Sequence, residues 1–177
     1  MRNFLFALLM LPTLAISSDI DLKSSVFKWT GTKVTGSHYG KVQLKSAKLD
    51  EKDGLINSGE FVMDMKTISC DDLKGEWMDK LLAHLNNDDF FSVEKFPTAT
   101  LKIKNGVKGK LSGEMTIKGV TQPVEIDYKK SGKEYTGTLM FDRTKFGIKY
   151  GSGNFFKGLG DKMIHDDVSV EFKVVTK

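Results

Sequence analysis

Apolar and polar residues alternate over most of the chain, and this period of two predicts β-strands with one buried and one solvent-facing side. In the last such segment Val170 and Phe172 share one face, while Glu171 and Lys173 share the other. Eight segments follow the pattern and are predicted as strands: 25–34, 39–50, 54–67, 97–105, 107–119, 120–130, 133–143 and 166–176. Eight strands close naturally into a small barrel with room for side chains or one ligand.

Short turn motifs separate these strands. Asp53-Gly54 and Asn105-Gly106 are dipeptides that tolerate a positive φ, so both suit two-residue hairpins. Ser131-Gly132 is a further predicted turn. Because short turns join antiparallel neighbours, the sequence predicts an all-β antiparallel fold.

One stretch departs from the strand pattern. Between Asp71 and Leu85 the apolar residues Trp77, Leu81 and Leu85 recur at helical spacing. We expect a single amphipathic helix here, inserted between the third and fourth strands and capped at its start by Asp71 or Asp72.

The first residues have the layout of a secretory signal peptide. Arg2 precedes an apolar run over residues 4–11, and small residues follow up to Ser17. The run is shorter than the roughly 20 apolar residues that span a bilayer. We therefore predict a signal peptide at 1–17, a single domain at 18–177 and export to the periplasm. The alternative is an N-terminal core strand or helix.

The charge distribution bears on possible partners. The formal net charge is +4, and the lysines are spread along the whole chain. A nucleic-acid-binding protein more often clusters basic residues on one face with aromatic residues between them. We interpret the lysines as a solvated exterior and expect no nucleic-acid partner.

Few residues suggest metal or nucleophilic chemistry. His38, His84 and His165 lie far apart in the sequence without the spacing of metal ligands, so we expect no metal site. Cys70 is the only cysteine, so it forms no internal disulfide, and nothing near it in the sequence marks it as activated. We predict an inert thiol in a short connection; an intermolecular disulfide or a reactive thiol remains the alternative.

An ordered set of motifs then resembles a known family. The motifs are His38-Tyr39-Gly40, His84-Leu85 leading to Asp89-Phe90-Phe91, Phe96-Pro97, Gly113, Thr116-Ile117-Lys118-Gly119-Val120-Thr121 and Asp142-Arg143-Thr144-Lys145-Phe146-Gly147-Ile148. In this order and spacing the chain resembles the YceI-like, polyisoprenoid-binding family of exported bacterial proteins. The resemblance covers nearly the whole predicted domain.

The resemblance implies a fold and a ligand class. It implies an eight-stranded antiparallel lipocalin-like barrel with one inserted helix, a periplasmic location and an elongated isoprenoid lipid inside the barrel. It supplies no chemistry, so we expect a binding protein and not an enzyme. The expected partner is a long-chain isoprenoid or another apolar lipid, such as a quinone, with transient membrane contact and a monomeric or homodimeric state. No other cofactor is expected.

The inward-facing apolar residues are the predicted lining of the ligand tunnel. A packed core uses the same residue types, so a filled barrel is the competing interpretation. The predicted lining is Phe27, Trp29, Phe61, Met63, Met65, Trp77, Leu81, Phe90, Phe91, Leu101, Ile103, Met115, Ile117, Ile126, Tyr128, Phe141, Phe146 and Phe172.

A lipid headgroup needs one or two polar partners near the tunnel mouth. His38 and His84 are the first candidates, because they lie in the motifs that carry the resemblance. Arg143 is the only arginine after Arg2 and is either a headgroup contact or, as we favour, half of a structural pair with a carboxylate such as Asp142 or Asp64.

The glycine-rich stretch 149–162 lacks a phosphate-binding ending and is interpreted as a mobile connection over one barrel end.

Three functions therefore stay open. The first is a carrier or buffer for an isoprenoid lipid. The second is an enzyme that acts on an apolar substrate in the same cavity, with His38 or His84 as base. The third is a structural or stress protein with a filled core.

Overall fold

The computed structural model describes residues 16–52 and 55–177. These residues form ten β-strands, one α-helix and three short 3-10 helices. The strands are β1 (Ile16–Asp19), β2 (Val26–Lys33), β3 (Gly36–Lys41), β4 (Gln43–Lys52), β5 (Leu55–Asp64), β6 (Thr98–Val107), β7 (Lys110–Ile117), β8 (Val120–Ser131), β9 (Glu134–Asp142) and β10 (Ile164–Val175). The helix α1 (Gly75–Asn86) lies between β5 and β6, and the 3-10 helices are Met65–Thr67, Arg143–Phe146 and Gly160–Lys162.

The strands form one antiparallel sheet that curls into a barrel. Its order is β1-β4-β5-β6-β7-β8-β9-β10-β2-β3. Only Val42 separates β3 from β4, so the two form one bent strand that pairs first with β2 and then with β5. The pairing thus runs from β2 around the barrel and back to β2. With β3 and β4 counted together, all eight predicted strands are present, and the predicted all-β lipocalin-like barrel with one inserted helix is confirmed.

The short strand β1 is an addition to the prediction. It pairs with β4, and Ile20 just after it bridges to Thr176 after β10. The predicted cleavage site after Ser17 falls inside this strand. The predicted signal peptide otherwise lies outside the described residues, because these begin at Ile16.

One hairpin turn differs from its prediction. Asn105 and Gly106 lie inside β6, where a register shift between Ile103 and Asn105 marks a bulge. The turn to β7 instead follows Val107, and Gly109 takes the positive φ of 82°. Asp53-Gly54, the other predicted hairpin turn, lies outside the described residues.

The two barrel ends differ in how they are covered. Because neighbouring strands run in opposite directions, the end of β5 and the end of β9 lie at the same end of the barrel. That end, called here the α1 end, carries the 3-10 helix Met65–Thr67, helix α1 and the loop 149–163. The opposite end carries the short β6–β7 and β8–β9 turns.

The helix begins later than predicted and without the predicted cap. Its N-cap is Lys74, which makes no side-chain capping bond, and Gly75 is its first residue. Asp72 is instead engaged with β3, as described below. Burial rises along the helix from Trp77, which is 70% exposed, to Leu85, which is 6% exposed. The last turn of α1 therefore contacts the barrel, while the first turn projects into solvent.

Candidate ligand cavity

The barrel interior holds two adjoining apolar cavities. The larger one, the large chamber, measures about 170 Å³ and lies toward the α1 end. Its wall combines strand residues such as Trp29, Met63 and Met115 with Leu85, Phe90 and Phe91 from the end of α1 and the segment after it. The chamber is therefore closed on one side by the inserted helical segment.

The smaller cavity, the small chamber, measures about 70 Å³ and lies toward the opposite end. Tyr128 and Tyr135 form part of its wall, with Leu49, Ile56 and Leu111. The hydroxyl of Tyr135 donates to Glu51, which also accepts from Lys130 Nζ at 2.6 Å. This polar group lies beyond the aromatic wall, so the small chamber itself is lined by hydrocarbon and aromatic rings.

Five residues border both chambers. The shared residues are Phe27, Phe61, Leu101, Leu139 and Val170. Cross-strand pairing places Phe61 opposite Leu101 and Leu101 opposite Met115, so their side chains point to the same face of the sheet. These five residues, called here the partition, form the boundary that a long ligand has to cross to occupy both chambers.

Most of the predicted lining residues do border these chambers. The large chamber is bordered by Phe27, Trp29, Phe61, Met63, Met65, Phe90, Phe91, Leu101, Met115, Ile117 and Phe141. The small chamber adds Ile103, Tyr128 and Phe172 from the predicted set. Their contact with a ligand remains a prediction.

Four predicted lining residues lie elsewhere. Trp77 is on the exposed first turn of α1, with Lys80 Nζ 5.0 Å from its ring centroid. Leu81 packs against the core without reaching a chamber. Ile126 and Phe146 are buried but border neither chamber, and Phe146 meets Phe141 edge to face. These corrections share a cause: an apolar periodicity identifies buried faces, but it does not separate packed positions from positions beside empty space.

The sequence also missed residues of the chamber walls. Gly31 borders the large chamber, and a Cβ built on it would meet no atom within 4 Å. No apolar pattern signals a glycine of this kind. Val42, Ala99, Ile164 and other small or branched residues were missed because they lie at strand ends or bends, where alternation is short.

Arg143 borders the large chamber but has all its donors occupied. Nε donates to His165 O, Nη1 to Ile148 O and Tyr150 O, and Nη2 to Ile164 O and to Asp166 Oδ1, at 2.9–3.2 Å. The side chain is 3% exposed. The favoured structural pair with a carboxylate is therefore confirmed, but the partner is Asp166 and not Asp142 or Asp64, which were named as examples. Burial lowers the pKa of Arg143, while Asp166 and Asp142 oppose this shift, and the guanidinium remains charged.

His84 lies just outside the large chamber, behind the ring of Phe90. Its imidazole meets Phe90 and Tyr150 edge to face, with centroids 4.8 and 4.4 Å apart. Nε2 lies 3.5 Å from Asp89 Oδ2. Because Phe90 borders the chamber, His84 and Tyr150 form the next layer outward at the α1 end.

His38 lies in a different polar group at the same end. Its Nδ1 is 2.7 Å from Asp72 Oδ2, and Asp72 Oδ1 accepts from the N–H of Tyr39 at 2.9 Å. Burial by itself would raise the pKa of Asp72, but the hydrogen bonds from Tyr39, His38 and Cys70 hold it below its ordinary value. Neither His38 nor His84 borders either chamber.

Cys70 belongs to the same group. It is buried, and its thiol donates to Asp72 Oδ1 at 3.4 Å. Burial and the bond to the carboxylate both raise the pKa of this thiol. A thiol held in its protonated form is a poor nucleophile, in line with the predicted inert role.

Within residues 16–52 and 55–177, no three His, Cys, Asp or Glu side chains come together in a way that could hold a metal ion. Over the same residues, no helix has the length and apolar character needed to cross a bilayer.

The fold and the cavity define a class of protein. A closed antiparallel barrel whose interior is an apolar cavity, covered at one end by a helical segment, is a lipocalin-like barrel. Within that class, the model of the YceI-like domain matches residues 19–176, and the chain belongs to this family.

Curated relatives support the same assignment. A UPF0312 protein of Shewanella denitrificans is 28% identical over 86% of this chain and 88% of its own length. A UPF0312 protein of Staphylococcus aureus is 31% identical over half of this chain. That match spans only 56% of the staphylococcal protein.

Solved structures share the fold at low identity. BcnA of Burkholderia cenocepacia superposes with a TM-score of 0.63 at 20% identity, over 90% of this chain and 100% of that one. A polyisoprenoid binding domain from Saccharophagus degradans, implicated in plant cell wall breakdown, superposes with a TM-score of 0.62 at 12% identity. That match covers 93% of this chain and 99% of the other.

Proposed function

We propose that this protein is a periplasmic carrier or buffer that holds a long isoprenoid lipid, of the polyprenol or quinone type, inside its barrel. The observation that carries the proposal is the pair of adjoining apolar chambers. Membership of the YceI-like family and the similarity to a polyisoprenoid binding domain support a lipid of this class. The layout of residues 1–17 supports export.

The chamber walls match a hydrocarbon ligand. An isoprenoid tail offers no hydrogen-bonding groups, so its binding depends on removing apolar surface from water, at about 0.8 kcal/mol per buried methylene. Apart from the two tyrosines of the small chamber, the polar side chains among the wall residues are Thr100, Arg143 and His165, and these three border the large chamber. Arg143 has all five N–H groups bonded within the protein, and His165 Nδ1 is bonded to Thr32 Oγ1 at 2.8 Å. The interior therefore offers a tail little competition from unpaired polar groups.

The distribution of polar groups suggests an orientation. The small chamber is bordered by hydrocarbon and tyrosine rings, whereas His84, Tyr150 and the polar wall residues lie toward the α1 end. In the proposed complex the tail enters the small chamber and the headgroup lies at the α1 end. His84 and Tyr150 are then nearer to the headgroup than His38, which is paired with Asp72.

A long tail needs more space than the two chambers provide. An apolar cavity of roughly 150 Å³ accommodates a molecule the size of benzene, so the large chamber holds only a short piece of a tail. A longer tail has to displace the partition residues and reshape the walls. Met63, Met65 and Met115 border the large chamber, and methionine side chains adapt to irregular shapes.

Gly31 provides the sharpest test. In a Gly31→Leu variant the new side chain points into the large chamber, where a Cβ meets nothing within 4 Å, so the barrel should fold and the cavity should be filled. Wild type purified without detergent, or exposed to polyprenols and quinones, should show a stoichiometric mass increase in native mass spectrometry. The extracted ligand should fragment as a terpenoid, and Gly31→Leu should lose the added mass.

A matched control places the same side chain outside the barrel. Thr138 is exposed on β9, so Thr138→Leu adds a leucine to the outer face and should leave uptake unchanged. A wild-type protein that takes up no isoprenoid under any of these conditions would overturn the proposal. Recovery of a chemically altered lipid after incubation would favour the enzyme alternative.

A further inference from the structure

The loop 149–163 presents two neighbouring phenylalanines to solvent. Phe155 and Phe156 are 48% and 50% exposed, and Tyr150 in the same loop is 45% exposed. Val34, in the turn after β2, is 49% exposed and donates its N–H to Met163 O at 3.2 Å. Several large apolar side chains are therefore exposed at the α1 end. Such a group indicates an interaction site more strongly than scattered single residues do.

The backbone that carries the two rings is anchored. The N–H groups of Phe155 and Phe156 both donate to Ser152 O, at 3.1 and 2.9 Å. Ser152 is fully buried, and its hydroxyl donates to Asp166 Oδ2 at 2.9 Å. The amide of Asn154 donates to the same oxygen at 2.7 Å. The connection that the sequence suggested to be mobile therefore has a base that is hydrogen-bonded to the barrel, and the rings are held outward.

Basic residues share the loop with the exposed rings. Residues 149–162 contain Lys149, Lys157 and Lys162 against the single acidic residue Asp161. Lys149 Nζ lies 4.6 Å from the ring centroid of Phe155. Aromatic side chains flanked by lysines are the combination that binds the interface of an anionic bilayer, where the rings enter the headgroup region and the ammonium groups meet lipid phosphates.

The base of the loop touches the cavity wall. Tyr150 packs against His84 and Phe90, and Phe90 borders the large chamber. A Cβ on Gly151 would lie 3.0 Å from Ile164, another wall residue. A bilayer in contact with the loop would therefore face the end of the barrel at which the large chamber lies.

We propose that Phe155, Phe156 and the lysines beside them form a docking surface for an anionic lipid bilayer. This surface brings the α1 end of the barrel to the membrane. The docking does not depend on the identity of the ligand, so it stands or falls separately from isoprenoid uptake.

Vesicle flotation tests the docking directly. The probes are vesicles of phosphatidylcholine alone and vesicles of phosphatidylcholine with phosphatidylglycerol, both without isoprenoid. Wild type should float with the anionic vesicles, and high salt should weaken the binding. The Phe155→Ser/Phe156→Ser double variant should bind at least about tenfold more weakly, because it removes two rings that enter the interface. Replacing the three lysines with glutamine should abolish the preference for anionic vesicles.

A matched double variant controls for general loss of apolar surface. Val107, at the opposite barrel end, and Met140, on the outer wall, are 56% and 64% exposed, and Val107→Ser/Met140→Ser should bind vesicles as wild type does. Equal binding by wild type and the phenylalanine variant would overturn the proposal. The proposal would also be overturned if that variant bound vesicles as wild type does and changed only in its sedimentation mass, because the patch would then be a contact with a second copy of the chain. Uptake of detergent-dispersed isoprenoid by the same variants separates a failure of docking from a failure of ligand binding.

Discussion

Arg143 Nη2 donates to Asp166 Oδ1 at 3.2 Å, across the junction where β9 ends and β10 begins. The same arginine donates to four backbone carbonyls, and the same aspartate accepts from Ser152 and Asn154. One planar guanidinium thus joins the end of β9, the loop 149–163 and the start of β10. The pair fixes the wall of the large chamber and the base of the loop together.

The variant Arg143→Lys should lower the free energy of unfolding. An ammonium has three donors where the guanidinium has five, so at least two acceptors lose their partner, at about 1–3 kcal/mol for each buried group left unsatisfied. Urea unfolding at neutral pH measures the loss. The exposed Lys145, two residues away, provides the control, since Lys145→Ala should change stability by less than about 0.5 kcal/mol. Equal stability of Arg143→Lys and wild type would show that the five bonds carry no net stabilisation.

The carboxylate of Asp72 should make stability depend on pH. Its folded pKa is lowered from the ordinary value of 3.8, so its contribution is complete above that value and is lost as the pH falls through the folded pKa. The stability difference between wild type and Asp72→Asn should therefore be largest near neutral pH and shrink on acidification below about 3.8. Chemical unfolding at a series of pH values measures the difference. Asp127→Asn, at an exposed carboxylate on the outer wall, is the control for the loss of a carboxylate as such.

Gly40 should tolerate no side chain. A Cβ at this position would lie 1.9 Å from Ser69 O, the oxygen that accepts from Trp29 Nε1 at 3.0 Å. Gly40→Ala should push the segment after β5 away from β3 and cost about 1–3 kcal/mol or more. Gly31→Ala, on the neighbouring strand, should be nearly neutral because nothing lies within 4 Å. Thermal unfolding of the two variants compares them, and a similar melting temperature for both would refute the packing argument.

These cases show what the sequence could and could not predict. Alternation identified eight strands because the barrel has one apolar and one wet face along each of them. It missed β1, whose four residues, Ile-Ser-Ser-Asp, do not alternate. It merged β3 with β4 because the chain keeps its direction through Val42, where the pairing passes from β2 to β5.

The site was predictable only in part, for a physical reason. Phe27, Met115 and most inward residues could be named because both a packed core and a cavity wall are apolar. Whether space remains between them depends on shape, which explains why Phe146 was placed in the wall although it is packed, and why Gly31 was overlooked. Trp77 has helical spacing with Leu85, but spacing does not reveal that α1 leaves the barrel surface toward its first turn.

The partition should set which isoprenoids the barrel prefers. Phe27 borders both chambers and stacks on Phe172 with centroids 6.4 Å apart, so Phe27→Leu should widen the passage between the chambers. We expect this variant to take up longer isoprenoids relative to shorter ones than wild type does, in competition experiments read by native mass spectrometry. Phe146→Leu is the matched control, because Phe146 is buried but borders neither chamber. It should lower stability and leave the length preference unchanged. If both variants shift the preference equally, the effect comes from a loosened core; if neither does, the tail does not cross the partition.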